Sequence, residues 1–216
     1  MAGAAAAAGL AALVAGAAAP VEADSAVVAA VILAAAARRV DGDHMTAWAL
    51  LSRALKHLWL DADDTRRAIP TDMLERLQRR VAASEQRHSG EIRICVEAGM
   101  PLSYLWRGAL ARERAVTMFG KLRVWDTEHN NGVLIYLLLA DHAIEIVADR
   151  GLALHVDAQQ WQAMVGRMAK AFKEKRYEDG LTQALEETSA LLMAHFAVAD
   201  SARANSNELP DSPVLQ

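Results

Sequence analysis

Residues 124–151, VWDTEHNNGVLIYLLLADHAIEIVADRG, decide the fold. Val133 to Leu139 is an unbroken apolar run of seven, rich in branched side chains, with Asn130-Asn131-Gly132 before it and Asp141 after it. A run of that length and composition reads as a strand buried on both faces. Asp141-His142 turns the chain, and Ala143 to Ala148 returns as a second strand. With the turn centred there, pairs whose numbers sum to roughly 283 lie opposite one another. Asp149, Arg150 and Gly151 then come back beside Asn131, Gly132 and Leu134, and Asp126, Glu128, His129, Asn130 and Asn131 lie on the loop just before. One rim of the sheet thereby gathers carboxylates and amides from two segments. Oxygen donors of this kind are what the hard cations Ca2+ and Mg2+ take.

Upstream of this hairpin, Glu91 to Ala98 predicts a strand with Ile92, Ile94 and Val96 on one face. Its other face, Arg93, Cys95 and Glu97, is more polar, so the strand is expected to be less deeply buried than 133–139. Ala109 to Val124 predicts a charged helix with Ala115, Phe119 and Leu122 inward. Strand, helix, strand in this order gives a right-handed crossover between two parallel strands, to which the hairpin adds an antiparallel one. The sheet is small and mixed, and the class is α/β.

Amphipathic helices supply the layers on either side. Thr71 is placed to cap a helix with Leu74, Leu77 and Val81 inward. Its Arg76, Arg79 and Arg80 read as a solvated face rather than a phosphate patch. Between Gly99 and Gly108, Tyr104 and Trp106 read as plugs over the sheet edge. Leu152 to Val156 predicts a short extended piece. Asp157 and Gln160 form a capping box before the stripe Trp161, Met164, Val165, Met168 and Phe172. After a break at Tyr177–Gly180, a last helix carries Leu181, Leu185, Thr188, Leu192 and Phe196.

The ends differ from the middle. Residues 1–44 are an Ala-rich extension, read either as a membrane segment, a signal peptide, a soluble helix or a non-native start preceding Met45. Residues 45–69 hold an amphipathic helix, with Trp48, Leu51, Leu55, Leu58 and Trp59 at helical spacing, followed by a charged linker from Asp61 to Arg67. That helix packs on its own domain or lies on a membrane surface with tryptophan anchors. Residues 198–216 turn to Ser, Asn, Asp and Pro and read as a disordered tail. The net charge of −4 gives no case for nucleic acid. Cys95 stands alone, which excludes an internal disulfide and a cysteine zinc cluster. The sequence holds no Gly-rich phosphate loop, no Gly-x-Ser-x-Gly elbow and no His-Glu-x-x-His pair.

Four segments in order, His88-Ser89-Gly90-Glu91, Asn130-Asn131-Gly132-Val133-Leu134, Asp149-Arg150-Gly151 and Phe172–Gly180 (FKEKRYEDG), resemble the TPM-domain family over about residues 70–197. The resemblance implies a three-layer α/β/α sandwich of Rossmann-like appearance, often tethered to a membrane. It also implies calcium binding in some members and acid phosphatase activity in the plant branch. The family's triplet ahead of the central strand is Asp-Asn-Gly, and here the aspartate position is Asn130. The lost charge weakens a hard-ion site, and Asp126 or Glu128 is placed to compensate. Asn131 and Asp149 match the family pattern directly. The chain looks like a short bacterial branch of the family.

Two functions follow. In the first, the domain is non-enzymatic, binds a divalent cation through Asp126, Glu128, Asn130, Asn131 and Asp149, and serves assembly or maintenance of a membrane-associated complex. Its partner is then a membrane surface or a membrane-anchored protein. In the second it is a weak metal-assisted acid phosphatase, with Arg150 on the phosphate. The expected location is membrane-associated, or cytoplasmic with a start at Met45.

Overall fold

The computed structural model describes residues 44–60, 62–197 and 207–216. The Ala-rich extension lies outside them, except for its last residue. Three helices come first: α1 (His44–Trp59), α2 (Ala62–Ala68) and α3 (Thr71–Glu85). Then follow β1 (Ile92–Glu97), α4 (Leu102–Trp106), α5 (Ala111–Lys121), β2 (Val133–Leu138) and β3 (Ala143–Ala148). The chain continues through α6 (Arg150–Ala153), α7 (Ala158–Lys173) and α8 (Tyr177–Phe196), and β4 (Val214–Leu215) closes the described chain.

The sheet has the order β3-β2-β1-β4. β1 and β2 run parallel, as the strand–helix–strand reading requires, and β3 is antiparallel to β2. β2 is buried along its whole length. Its alternating residues feed two cores. Val133, Ile135 and Leu137 join Ile92, Ile94 and Val96 under α3, α7 and α8, where Leu77, Met168, Phe172 and Leu185 are buried. Leu134, Tyr136 and Leu138 join Cys95 under α1, α4 and α5, through Ala54, Leu105, Ala115 and Met118. The result is a three-layer α/β/α arrangement with a mixed sheet.

Several expectations are corrected. The hairpin register pairs Val133 with Ala148 and Leu138 with Ala143, so opposite residues sum to 281 rather than 283. Leu139 accepts from His142 N–H at 3.1 Å, which centres the turn on Ala140-Asp141. The polar face of β1 is not shallow. Glu97 and Cys95 are buried, because Glu97 accepts from Arg114 Nε at 2.8 Å, from Arg114 Nη2 and from Tyr136 Oη at 2.6 Å. The 61–67 linker contains α2, whose Thr65 donates to the carbonyl of Gln216 at 3.2 Å. Pro70 rather than Thr71 stands at the N-cap of α3. The extended piece at 152–156 is replaced by α6, started by Asp149.

The described part of the tail is ordered by pairing. Gln216 donates to Val96 O at 2.9 Å and accepts from Ala98 N–H at 3.0 Å, and Leu209 is buried. β4 therefore covers the β1 edge, which otherwise presents unpaired backbone groups.

Sheets of this kind commonly bind ligands outside the carboxyl ends of their parallel strands. Here α1 fills part of that place. Arg53 and His57 reach Asp141 in the β2–β3 turn at 2.8 and 3.0 Å, and His57 Nδ1 accepts from Met100 N–H at 2.9 Å. Because Nδ1 accepts, Nε2 carries the hydrogen that Asp141 receives. Burial works against the Asp141 charge, but the hydrogen bonds from His57 and Arg53 outweigh it and hold the carboxyl far below the usual range.

Candidate functional site

The opposite end of the sheet collects the polar oxygens. Thr127 organises the loop ahead of β2: its carbonyl accepts from Asn130 N–H at 3.2 Å and its hydroxyl from Asn131 N–H at 3.1 Å. Asn130 takes a left-handed backbone, φ 52°, which suits asparagine. Two close approaches then lock the loop to the hairpin. A Cβ on Gly132 would lie 1.9 Å from Val124 O, and one on Gly151 would lie 2.5 Å from Asn130 O. With glycine at both positions, Asp149 N–H donates to Gly132 O and Gly151 N–H to Asn130 O, each at 2.8 Å. The two segments expected to meet do meet, two residues off the expected register.

Asp149 divides its carboxylate. One oxygen, Oδ1, caps α6 by accepting from Arg150 N–H at 2.7 Å. The other, Oδ2, is buried and has no hydrogen-bond partner. Asn131 is fully buried; its Nδ2 donates to Ser89 Oγ at 3.2 Å, which leaves Oδ1 aimed away and without a partner. Buried polar atoms without partners are uncommon and each needs a reason. Glu91, at the start of β1, adds another such oxygen, Oε1, while its Oε2 accepts from Leu209 N–H at 3.2 Å. Burial raises the Glu91 carboxyl above the usual range, with help from Glu208 and Asp211.

The remaining expected residues stand differently. Asn130 Oδ1 accepts from both Arg150 Nε and Nη2, at 3.0 and 2.7 Å, so this amide holds an arginine. Asp126 and Glu128 are exposed on the loop, and the contact recorded for Glu128 is its backbone N–H donating to Glu208 Oε2 at 3.0 Å. Among the described residues no group of three or more His, Cys, Asp or Glu side chains is placed to hold a metal. The donor set still fits a hard divalent cation in kind: one carboxylate oxygen and one amide oxygen, both desolvated and both free. Ser89, Thr127 and Glu91 were not singled out from sequence. Each lies inside a stretch whose pattern is legible, but a lone hydroxyl or carboxylate carries no spacing signal.

The TPM domain model matches residues 63–191, more than half of the chain. The chain belongs to the TPM-domain family. Among solved structures, the NMR structure of the BA42 protein from the psychrophilic bacterium Bizionia argentinensis sp. nov. is similar, with a TM-score of 0.59 and 23% identity. The likeness covers 68% of this chain and 95% of that one, and at this identity it speaks for the fold. None of the curated proteins compared matches the chain. The matched span begins within α2 and ends within α8.

Proposed function

We propose that this TPM domain is a non-enzymatic module that binds a divalent cation, Ca2+ or Mg2+, in a membrane-associated complex. The observation that carries the reading is the pair of buried, unpartnered oxygens, Asp149 Oδ2 and Asn131 Oδ1, at one end of the sheet. A cation bound there takes those two atoms as its fixed protein ligands. Water completes the shell, and Asp126 and Glu128 on the adjoining loop add charge nearby. With a single fixed carboxylate the affinity belongs in the weak range, about 10−4 to 10−3 M.

Calorimetric titration of calcium and then magnesium into the full chain is the test. Saturable heat is expected, and Asp149→Ala and Asn131→Ala should each abolish it. Heat that persists in both variants would put the ion elsewhere and end this reading.

The second reading is metal-assisted hydrolysis of a phosphate monoester. What favours it is Arg150, next in sequence to Asp149, whose guanidinium donates to Asn130 Oδ1 on the loop that carries Asn131. Turnover of a generic phosphate ester that needs the cation and falls with both Asp149→Ala and Arg150→Ala would replace the first reading with this one.

A further inference from the structure

α1 is turned the wrong way round for a helix in water. Its docked arc is made of Arg53, Ala54 and His57, held by Asp141, by the Ala109 carbonyl, which accepts from Arg53 at 2.9 Å, and by Met100 N–H. On the opposite arc Leu55 is 43% exposed, Leu58 41% and Trp59 83%. At 100° per residue these three fall together, more than a quarter turn from His57. In the sequence Trp48 and Leu51 continue the same spacing. α4 packs beside α1 and adds Leu102, 40% exposed, and Trp106, 47% exposed. A water-facing helix does the reverse and buries its leucines.

We propose that the outward arc of α1, with Leu102 and Trp106 of α4, is a docking face for the interfacial region of a lipid bilayer. Three observations favour lipid as the occupant. Tryptophan, with an apolar body and one N–H, prefers the bilayer interface, and both aromatic residues of the face are tryptophan. Lys56 is exposed at the border of the arc, where an ammonium suits anionic headgroups. Upstream of α1, residues 1–37 are almost entirely Ala, Gly, Val and Leu, and Arg38 and Arg39 follow them. No helix of the described residues is long and apolar enough to cross a membrane, and the 16-residue α1, apolar on one arc, suits a place along the surface. The proposal names the membrane contact within the function given above. It is separate from the cation site, so either can fail alone.

The test is flotation of the full chain with unilamellar vesicles of phosphatidylcholine and phosphatidylglycerol. Combined Leu55→Ser, Leu58→Ser and Trp59→Ser should lower the partition coefficient at least about tenfold, the least expected for removing two leucines and a tryptophan from lipid. Leu102→Ser with Trp106→Ser should lower it in the same direction. All five side chains are exposed, so both variants should keep the circular dichroism spectrum of the parent. Brominated lipid should quench fluorescence that disappears in Trp59→Phe. Asp149→Ala should leave partition unchanged. Partition that both serine variants leave intact, with residues 1–43 then holding the vesicle, would overturn the proposal, and so would a parent chain that does not partition at all. A dimer in lipid-free buffer that the triple variant dissolves would name a second copy as the occupant and also overturn it.

Discussion

Gly132 has no space for a methyl group, because the Val124 carbonyl would meet it at 1.9 Å. Gly132→Ala is therefore expected to cost about 2–4 kcal/mol in urea unfolding and to weaken cation heats, since Gly132 O fixes Asp149. Glu97 is the other costly residue. Arg114→Ala strands its carboxylate in the core and should cost about 3–5 kcal/mol, whereas Tyr136→Phe removes one hydrogen bond and should cost about 1–2 kcal/mol. Two neighbouring groups set the pH response in opposite senses. Burial first, then Glu91 and Asp211, push the Glu85 carboxyl up to about 8. The folded chain keeps that proton while the unfolded chain releases it, so this stability is complete below about pH 4.5 and lost as pH rises toward 8. Burial lowers the His88 imidazole to about 4. The unfolded chain takes up that proton first, so stability is complete above about 6.5 and lost as pH falls toward 4. Thermal melts should show a maximum between these limits, with the alkaline limb flattened in Glu85→Gln. Asn131 and Asp149 were legible because they flank an unmistakable strand. Glu97 was misjudged as shallow because its counter-charge sits on a different element, 17 residues away.

At the level of elements, the hydrophobic periods carried β1, β2, β3, α5, α7 and α8, and the register of the hairpin slipped by two. A turn at Asp141-His142 sets Ala140 opposite Ala143, yet the ladder ends at Leu138 and Ala140 lies inside the reversal. An even slip leaves every side chain on its proper face, which is why the two cores still came out right. β4 was not legible at all: two residues in a polar tail become a strand only when β1 offers an edge. Deleting Val214–Gln216 should uncover that edge, lower the melting temperature and make light scattering rise with concentration. The seat of α1 was equally hidden, since it depends on Asp141, 88 residues from Arg53. Asp141→Ala should free α1 at a cost of about 1–3 kcal/mol, read as faster proteolysis near Leu60 with the sheet core still protected from hydrogen exchange.

For the molecule as a whole, alternating strand and helix patterns were enough for the three-layer α/β/α class, and the family resemblance agreed with them. What sequence left out were the long-range closures: α2 and β4 joined through Thr65 and Gln216, and α1 latched to the hairpin. The hairpin itself acts as a spacer. One end grips α1 at Asp141 and the other presents Asp149, with six paired residues between, about 20 Å of strand. On the two proposals made above, a calcium ion beside Asp149 would be too remote to bridge the protein to phospholipid seated against Trp59. Chelators should strip the ion and leave the protein on its vesicles, which separates this chain from proteins that use calcium as glue to a membrane.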